Sequence, residues 1–260
     1  MCANPVFTRK APARSVMTDA EWDLRVNLAA CYRLVSHYGW DDLTATHISA
    51  RVPGDDEHFL INPFGWMFSE ITASSLVKVD LDGAILQDTP HVINPAGFVI
   101  HSAIHAARPD AKCVLHTHTV AGMAVASMRE GVLPLNQKAA RFYNRTAYHD
   151  FGGSSQDLSA RERLVRDVGD KNYVVLRNHG LLVCGGSVSQ AFKGMHGLEK
   201  VCQTQLALMS SGGTPILLDS EILEFMGKQF ARDATPSATR PDAWPSLLKM
   251  LDRINPGYRA

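Results

Sequence analysis

Residues 114–119 read VLHTHT, which places two histidines one residue apart directly behind a short apolar run. In a β-strand, residues i and i+2 project from the same face, so His116 and His118 would point together toward one metal ion. A third histidine, His179, follows another apolar run in the segment RNHG at residues 177–180. Unpaired polar groups cost about 1–3 kcal/mol each to bury, and Gly180 permits a tight backbone approach. The pattern therefore predicts one metal centre.

The composition is that of an ordinary globular protein and excludes several classes of function. The chain has 260 residues, 45% hydrophobic and 20% charged, with a net charge of zero. Because the chain has no excess of basic residues, its charge does not favour nucleic acid or an anionic membrane as a partner. Five cysteines without a CxxC pair indicate reduced thiols, and no apolar run reaches the length of a membrane span. We expect a cytoplasmic protein that binds neither nucleic acid nor membranes.

The first third of the chain predicts a flexible arm, a helix and two hairpins. Residues 1–17 hold scattered prolines and no periodicity, which is typical of a flexible arm. A capping box at 18–21 begins a helix that should end near Gly39. Residues 46–52 and 58–62 alternate like paired strands, and residues 76–81 and 84–87 form a second predicted hairpin around Asp82-Gly83.

The remainder mixes helices with strands that border the histidines. We predict helices at 95–107, 121–128, 187–211, 219–230 and 244–254, and one at 159–169 that begins with a second capping box. Strands are predicted at 113–117, 173–176 and 181–184. Hairpins joined to helices favour an α/β fold with a largely antiparallel or mixed sheet covered by helices. The chain contains no GxGxxG, P-loop or GxSxG motif.

Nine segments, in this order, together resemble the class II aldolase/adducin family, and within it the adducin-head-like branch. They are HISAR at 47–51, FLINPFG at 59–65, EITASSLVK at 70–78, NPAGF at 94–98, HSAI at 101–104, ARPD at 107–110, HTH at 116–118, GVLP at 131–134 and LRNHG at 176–180. The resemblance covers residues 18–213. It predicts a class II aldolase-like domain over 18–215, with residues 216–260 as a C-terminal helical extension.

The resemblance implies a three-layer α/β/α fold around a mainly antiparallel sheet. Family enzymes are typically homotetramers with active sites between subunits, and they bind a divalent metal through three histidines. Those positions correspond to His116, His118 and His179. We therefore expect one zinc, manganese or iron ion per subunit and a small-molecule substrate.

The chain departs from the aldolases where they bind phosphate and move a proton. Their Ser-Ser-Glu stands here as Pro95, Ala96 and Gly97, so the acid–base glutamate is missing. Their phosphate-binding Thr-Gly is Phe64-Gly65, and His47 takes an asparagine position in the pocket. A dianion needs a cradle of hydrogen-bond donors that these residues do not supply. We expect His47, Phe64, Gly65 and Gly97 to contact a non-phosphorylated carbonyl or carboxylate compound.

His101 is the candidate replacement for the missing acid. It lies four residues after Gly97 on the same face of the predicted helix. It could approach the metal as a fourth ligand or act as the acid–base group, and the alternative is a helix histidine that hydrogen-bonds elsewhere. His105 and His149 are expected to be structural or exposed.

Three functions are compatible with these residues. A metal-dependent lyase would cleave a carbon–carbon bond by aldol or decarboxylation chemistry, through an enolate-type intermediate. A non-haem iron oxygenase acting on an aromatic 2-oxo acid would use the positions that three histidines leave open. A non-catalytic, adducin-like oligomeric module is the third. The complete histidine set favours the lyase.

Overall fold

The computed structural model describes residues 17–153, 158–233 and 242–260. The predicted arm at 1–17 therefore lies almost entirely outside the described residues. Within them, the helices are α1 (Asp19–His37), α2 (Pro95–Ala107), α3 (Val120–Ala126), α4 (Gln137–Ala140), α5 (Leu158–Val168), α6 (Val188–Ser210), α7 (Ser220–Asp233) and α8 (Trp244–Ile254).

Seven strands form one sheet at the centre of the fold. They are β1 (Ile48–Arg51), β2 (His58–Ile61), β3 (Val77–Asp80), β4 (Cys113–Thr117), β5 (Thr146–His149), β6 (Tyr173–Leu176) and β7 (Gly180–Gly185). Their order across the sheet is β3-β2-β1-β4-β7-β6-β5. All neighbours are antiparallel except β5 and β6. The mainly antiparallel sheet is as predicted.

Helices cover both faces of the sheet and complete the predicted three layers. The larger of the two main cores lies between one face and α1, α3, α6 and α8, and the smaller lies under α2 and α5. A third cluster is formed by Phe59, Ile61, Val77 and Val79 of β2 and β3. In β4, Cys113 and Leu115 belong to the larger core, whereas Val114 belongs to the smaller one. Because side chains alternate along a strand, His116 lies on the α2 and α5 side.

Two local predictions are refined by the structure. The second hairpin is present as a short pairing: an isolated antiparallel bridge joins Val79 to Ile85, and backbone hydrogen bonds run from the Asp80 N–H to the Ala84 carbonyl at 3.1 Å and from the Leu86 N–H to the Lys78 carbonyl at 2.9 Å. The helix predicted at 159–169 is present as α5 (Leu158–Val168). The residues directly before it, 154–157, lie outside the described ranges, so the capping box at its start stays a prediction.

The C-terminal residues pack into the larger core with α1. Leu251 and Tyr258 are buried there, and Trp244 is nearly so. The Arg33 side chain of α1 donates hydrogen bonds to the Asn255 side chain at 2.8 Å and to the Pro256 carbonyl. The end of the chain is thus joined to the first helix. In the described ranges, no helix has the length and apolar character needed to cross a membrane.

Candidate metal centre

The structure brings the three predicted histidines together at the end of β4. The Nε2 atoms of His116 and His118 are 2.8 Å apart. The His179 ring centroid lies 4.8 Å from that of His116 and 4.9 Å from that of His118. One ligand nitrogen from each residue lies within 4.8 Å of the others. This spacing would let one ion contact all three imidazoles.

The turn between β6 and β7 delivers His179 to this cluster. Leu176 pairs with Gly180 across the hairpin, and Asn178 adopts a left-handed conformation with φ of 55°. Asparagine tolerates that region better than most residues. A Cβ on Gly180 would lie 2.4 Å from the Thr117 carbonyl oxygen. The close approach anticipated at Gly180 is therefore present, and only glycine fits there without a shift of the backbone.

Hydrogen bonds to Nδ1 fix the orientation of two rings. With Nδ1 protonated, His116 donates to the Leu181 carbonyl at 2.9 Å, and His118 donates to the Asp42 carboxylate at 3.0 Å. Partners of this kind set the tautomer and leave Nε2 as the ligand atom. Asp42 was not among the predicted site residues, because the contact joins positions 76 residues apart.

Burial lowers the pKa of two of the three imidazoles, His116 and His179, and so favours their neutral form. The pKa of His116 is lowered well below its ordinary value, chiefly by burial and then by neighbouring histidines. Burial and the proximity of His118 lower the pKa of His179 to about 4. Metal ligation requires neutral imidazole. Three histidine nitrogens with an open side suit a catalytic zinc or a non-haem iron ion.

Replacing Asp42 with alanine should weaken metal binding by about 10- to 100-fold, because His118 loses the carboxylate that orients its ring. Competition against a chromophoric chelator would measure the dissociation constant. Asp41→Ala is the matched control, since it removes the same charge from the neighbouring residue and should leave the affinity within about twofold. Equal losses in both variants would assign the effect to general electrostatics.

Next to the cluster, the His47 ring occupies the space of a side chain at position 97. A Cβ built on Gly97 would lie 2.0 Å from Cδ2 and 2.1 Å from Nε2 of His47. The His47 ring centroid is 5.5 Å from that of His116. Both His47 and Gly97 line the adjoining cavity, and their role as substrate contacts stays a prediction. The His47 ring therefore fills the space that a side chain at position 97 would need. The absence of the glutamate and the presence of His47 are thus linked.

Of the alternatives open for His101, the structure matches a helix histidine that hydrogen-bonds elsewhere, because His101 does not join the cluster. It is fully buried, and its Nε2 lies 2.8 Å from Nδ1 of His47. Its Nδ1 lies 2.5 Å from the Ser49 hydroxyl oxygen, which is also 2.7 Å from Nε2 of His105. Both ring nitrogens of His101 are occupied, so any effect on the metal centre passes through His47.

A hydrogen-bond chain joins His47, His101, Ser49 and His105, and its protons can be arranged in two consistent directions. In one, His101 donates to Ser49 and accepts from His47, which leaves a lone pair on His47 Nε2. In the other, Ser49 donates to His101, which donates to His47, and His47 carries its proton on Nε2. Burial and neighbouring positive charge lower the pKa values of His47, His101 and His105, the last to about 3. Both directions therefore hold neutral rings.

A cavity of about 260 Å³ opens beside the cluster. Its walls combine apolar side chains with arginines, and among the described residues no Asp or Glu lines it. Phe64 and Gly65, predicted to contact substrate, are absent from its described lining. His149, expected to be structural or exposed, lines it and contacts Asp167 through Nδ1 at 2.7 Å. Sequence reasoning missed Phe151 and the arginines at 161, 163 and 177.

A family model described as the class II aldolase and adducin N-terminal domain matches residues 26–206. A Pseudomonas aeruginosa protein, provisionally named a class 2 aldolase, is 48% identical over 98% of this chain and 98% of its own length. Rat alpha-adducin is 43% identical over 91% of this chain, which spans 34% of the adducin. The structure of L-fuculose 1-phosphate aldolase from Glaciozyma antarctica PI12 has 28% identity and a TM-score of 0.79, over 96% of this chain and 97% of that one.

Proposed function

The chain belongs to the class II aldolase and adducin family, and from this membership we propose that it is a metal-dependent carbon–carbon lyase. The substrate would be a non-phosphorylated carbonyl or carboxylate compound. The observation that supports this best is the cluster of His116, His118 and His179, whose ligand atoms lie within 4.8 Å of one another and which lines a cavity. An assembly module has no need of such a cavity.

A bound zinc, manganese or iron ion held by these histidines would supply Lewis-acid stabilisation of negative charge on a substrate oxygen. The protein contributes the orientation of the ligands through Leu181 and Asp42. It also contributes a partly enclosed, mostly apolar space, in which charged groups interact more strongly than in water.

His47 is the group that handles the proton in this proposal. Its Nε2 lies 2.1 Å from where a Cβ at position 97 would stand, the position at which the resemblance puts the family's acidic residue, and its Nδ1 contacts His101. His101 is then a positioning residue rather than a catalytic one. Aldol cleavage needs a base at the substrate hydroxyl, whereas decarboxylation needs only a proton for the resulting carbanion. The two directions of the hydrogen-bond chain leave Nε2 of His47 either with a free lone pair, which suits a base, or with a proton, which suits an acid.

The lining of the cavity argues against a sugar phosphate. Ala96 and Gly97 stand where the aldolases carry serine and glutamate, and no hydroxyl side chain is among the described lining residues. The fuculose phosphate aldolase shares the fold at 28% identity. Phosphate recognition depends on hydrogen-bond donors that a fold does not guarantee.

The proposal is tested on protein purified without a tag, by elemental analysis followed by substrate screening. We expect about one divalent ion per subunit and release of CO₂ or an aldehyde from non-phosphorylated oxo or hydroxy acids. Rapid cleavage of a sugar phosphate would contradict the proposed substrate class. O₂ uptake with an aromatic 2-oxo acid would instead support the iron oxygenase.

The likeness to alpha-adducin supports a second candidate, a non-catalytic oligomeric module. This module would hold no stoichiometric metal and would turn over none of the screened compounds. Its oligomeric state would also be unchanged when metal is removed by a chelator. Sedimentation of the protein with and without chelator, beside the metal analysis, separates the two functions.

A further inference from the structure

We propose that the cavity recognises a carboxylate through Arg161, with the apolar part of the ligand against Ile100 and Leu164. This inference specifies the ligand class of the same site and therefore rests on the proposed function. Arg161 lies on α5. It belongs to neither of the two segments, 131–134 and 176–180, that carry the family resemblance after the histidine pair. Position 161 thus adds a specificity determinant that the histidine cluster does not contain.

The guanidinium of Arg161 is anchored beside the cavity. One Nη2–H donates to the Ser102 hydroxyl of α2 at 3.1 Å, and that hydroxyl donates onward to the Val99 carbonyl at 3.3 Å. A guanidinium presents five donors in a planar fork that matches the two oxygens of a carboxylate. One contact to Ser102 fixes its direction, so little rotamer freedom is lost on binding.

The N-terminal end of α2 adds positive potential at the same cavity. Ala96 and Gly97 in its first turn are lining residues, and that turn contains no acidic residue. Helix N-termini favour anions through their partial positive charge. The Ala96 N–H is already hydrogen-bonded to the Asn94 side chain at 3.1 Å, so α2 contributes this charge and not a free donor. The helix end and the anchored arginine thus support binding of the same charge.

One part of the lining is apolar and suits an apolar ligand body. The side chains at 99, 100, 151, 164 and 176 are aliphatic or aromatic. An apolar wall with few convergent polar groups is typical of a site for a small organic molecule. A phosphorylated or polyhydroxylated compound would bury hydroxyl groups against these walls without partners. The best match is a monocarboxylate with an aromatic or branched aliphatic body.

The test compares 3-phenylpropionate with its neutral isostere 3-phenylpropanamide by calorimetry on the metal-containing protein. The wild type should bind the carboxylate about tenfold more tightly than the amide. Arg161→Gln, which can still contact Ser102, should lower carboxylate affinity about tenfold and amide affinity less than twofold. Arg161→Lys should recover part of the preference, because it keeps the charge without the fork.

Arg166→Gln is the matched control on the same helix, since the Arg166 side chain is 70% exposed. It should leave both affinities unchanged, and a loss equal to that of Arg161→Gln would overturn the proposal. So would a carboxylate preference that survives in Arg161→Gln, because the metal alone would then hold the anion. Displacement of the ligand by lower concentrations of inorganic phosphate would identify a phosphate site instead. Protein without metal would refute the proposed lyase, yet the carboxylate preference would still be measurable.

Discussion

Replacing His116 with alanine is expected to abolish stoichiometric metal binding and to lower the lyase rate by at least about 1,000-fold. Stabilisation of transition-state charge by a metal is worth several kcal/mol, and each 1.36 kcal/mol corresponds to a factor of about ten in rate. The remaining histidines, His118 and His179, would hold an ion through two nitrogens only. Elemental analysis and initial rates on the identified substrate would measure both effects.

His37→Ala is the control, because His37 is an exposed histidine at the end of α1. It should keep the metal content and rate of the wild type. Thermal unfolding must show that His116→Ala is folded, since this buried ring leaves a cavity when removed. A folded His116→Ala protein with full metal content would refute the assignment of the centre.

The Gly97→Ala variant should lose about 3 kcal/mol of unfolding free energy, at the upper end of the usual cost of overpacking. The added Cβ would overlap the His47 ring, which is hydrogen-bonded to His101 and cannot easily move aside. Chemical denaturation would give the free energy of unfolding. The His47→Ala background should remove most of the penalty, so that the two substitutions couple by about 2 kcal/mol or more in a double-mutant cycle.

Gly227→Ala provides the comparison within a helix, because a Cβ there would meet nothing within 4 Å. Alanine should stabilise that position by up to about 1 kcal/mol through helix propensity. If Gly97→Ala behaved like Gly227→Ala, or if its penalty were unchanged by His47→Ala, the packing of His47 against Gly97 would be refuted.

The sheet and the histidine cluster were accessible from sequence because both depend on local periodicity. The two-residue repeat puts His116 and His118 on one face, and the hairpin places His179 beside the end of β4. The family resemblance then supplied the layers and the role of each position. These inferences needed no knowledge of distant side-chain contacts.

The surroundings of the cluster were less predictable because they depend on tertiary contacts. Helical spacing correctly put Gly97 and His101 on a common face, but it could not show that His47 stands between His101 and the cavity. The pairing of Asp42 with His118 likewise joins separate elements. The role of Arg161 was not predictable either. The capping-box motif indicated only the start of a helix and carried no information about the cavity.

The contact between Gly97 and His47 also bears on how this chain could have diverged from acid-bearing aldolases. A glutamate at 97 cannot coexist with an imidazole at 47, because the two side chains claim the same volume. A route between the two states by single substitutions therefore has to pass through glycine at 97 before histidine enters at 47. With histidine at 47, a glutamate entering at 97 would meet a steric barrier, so the two positions have to change in a fixed order.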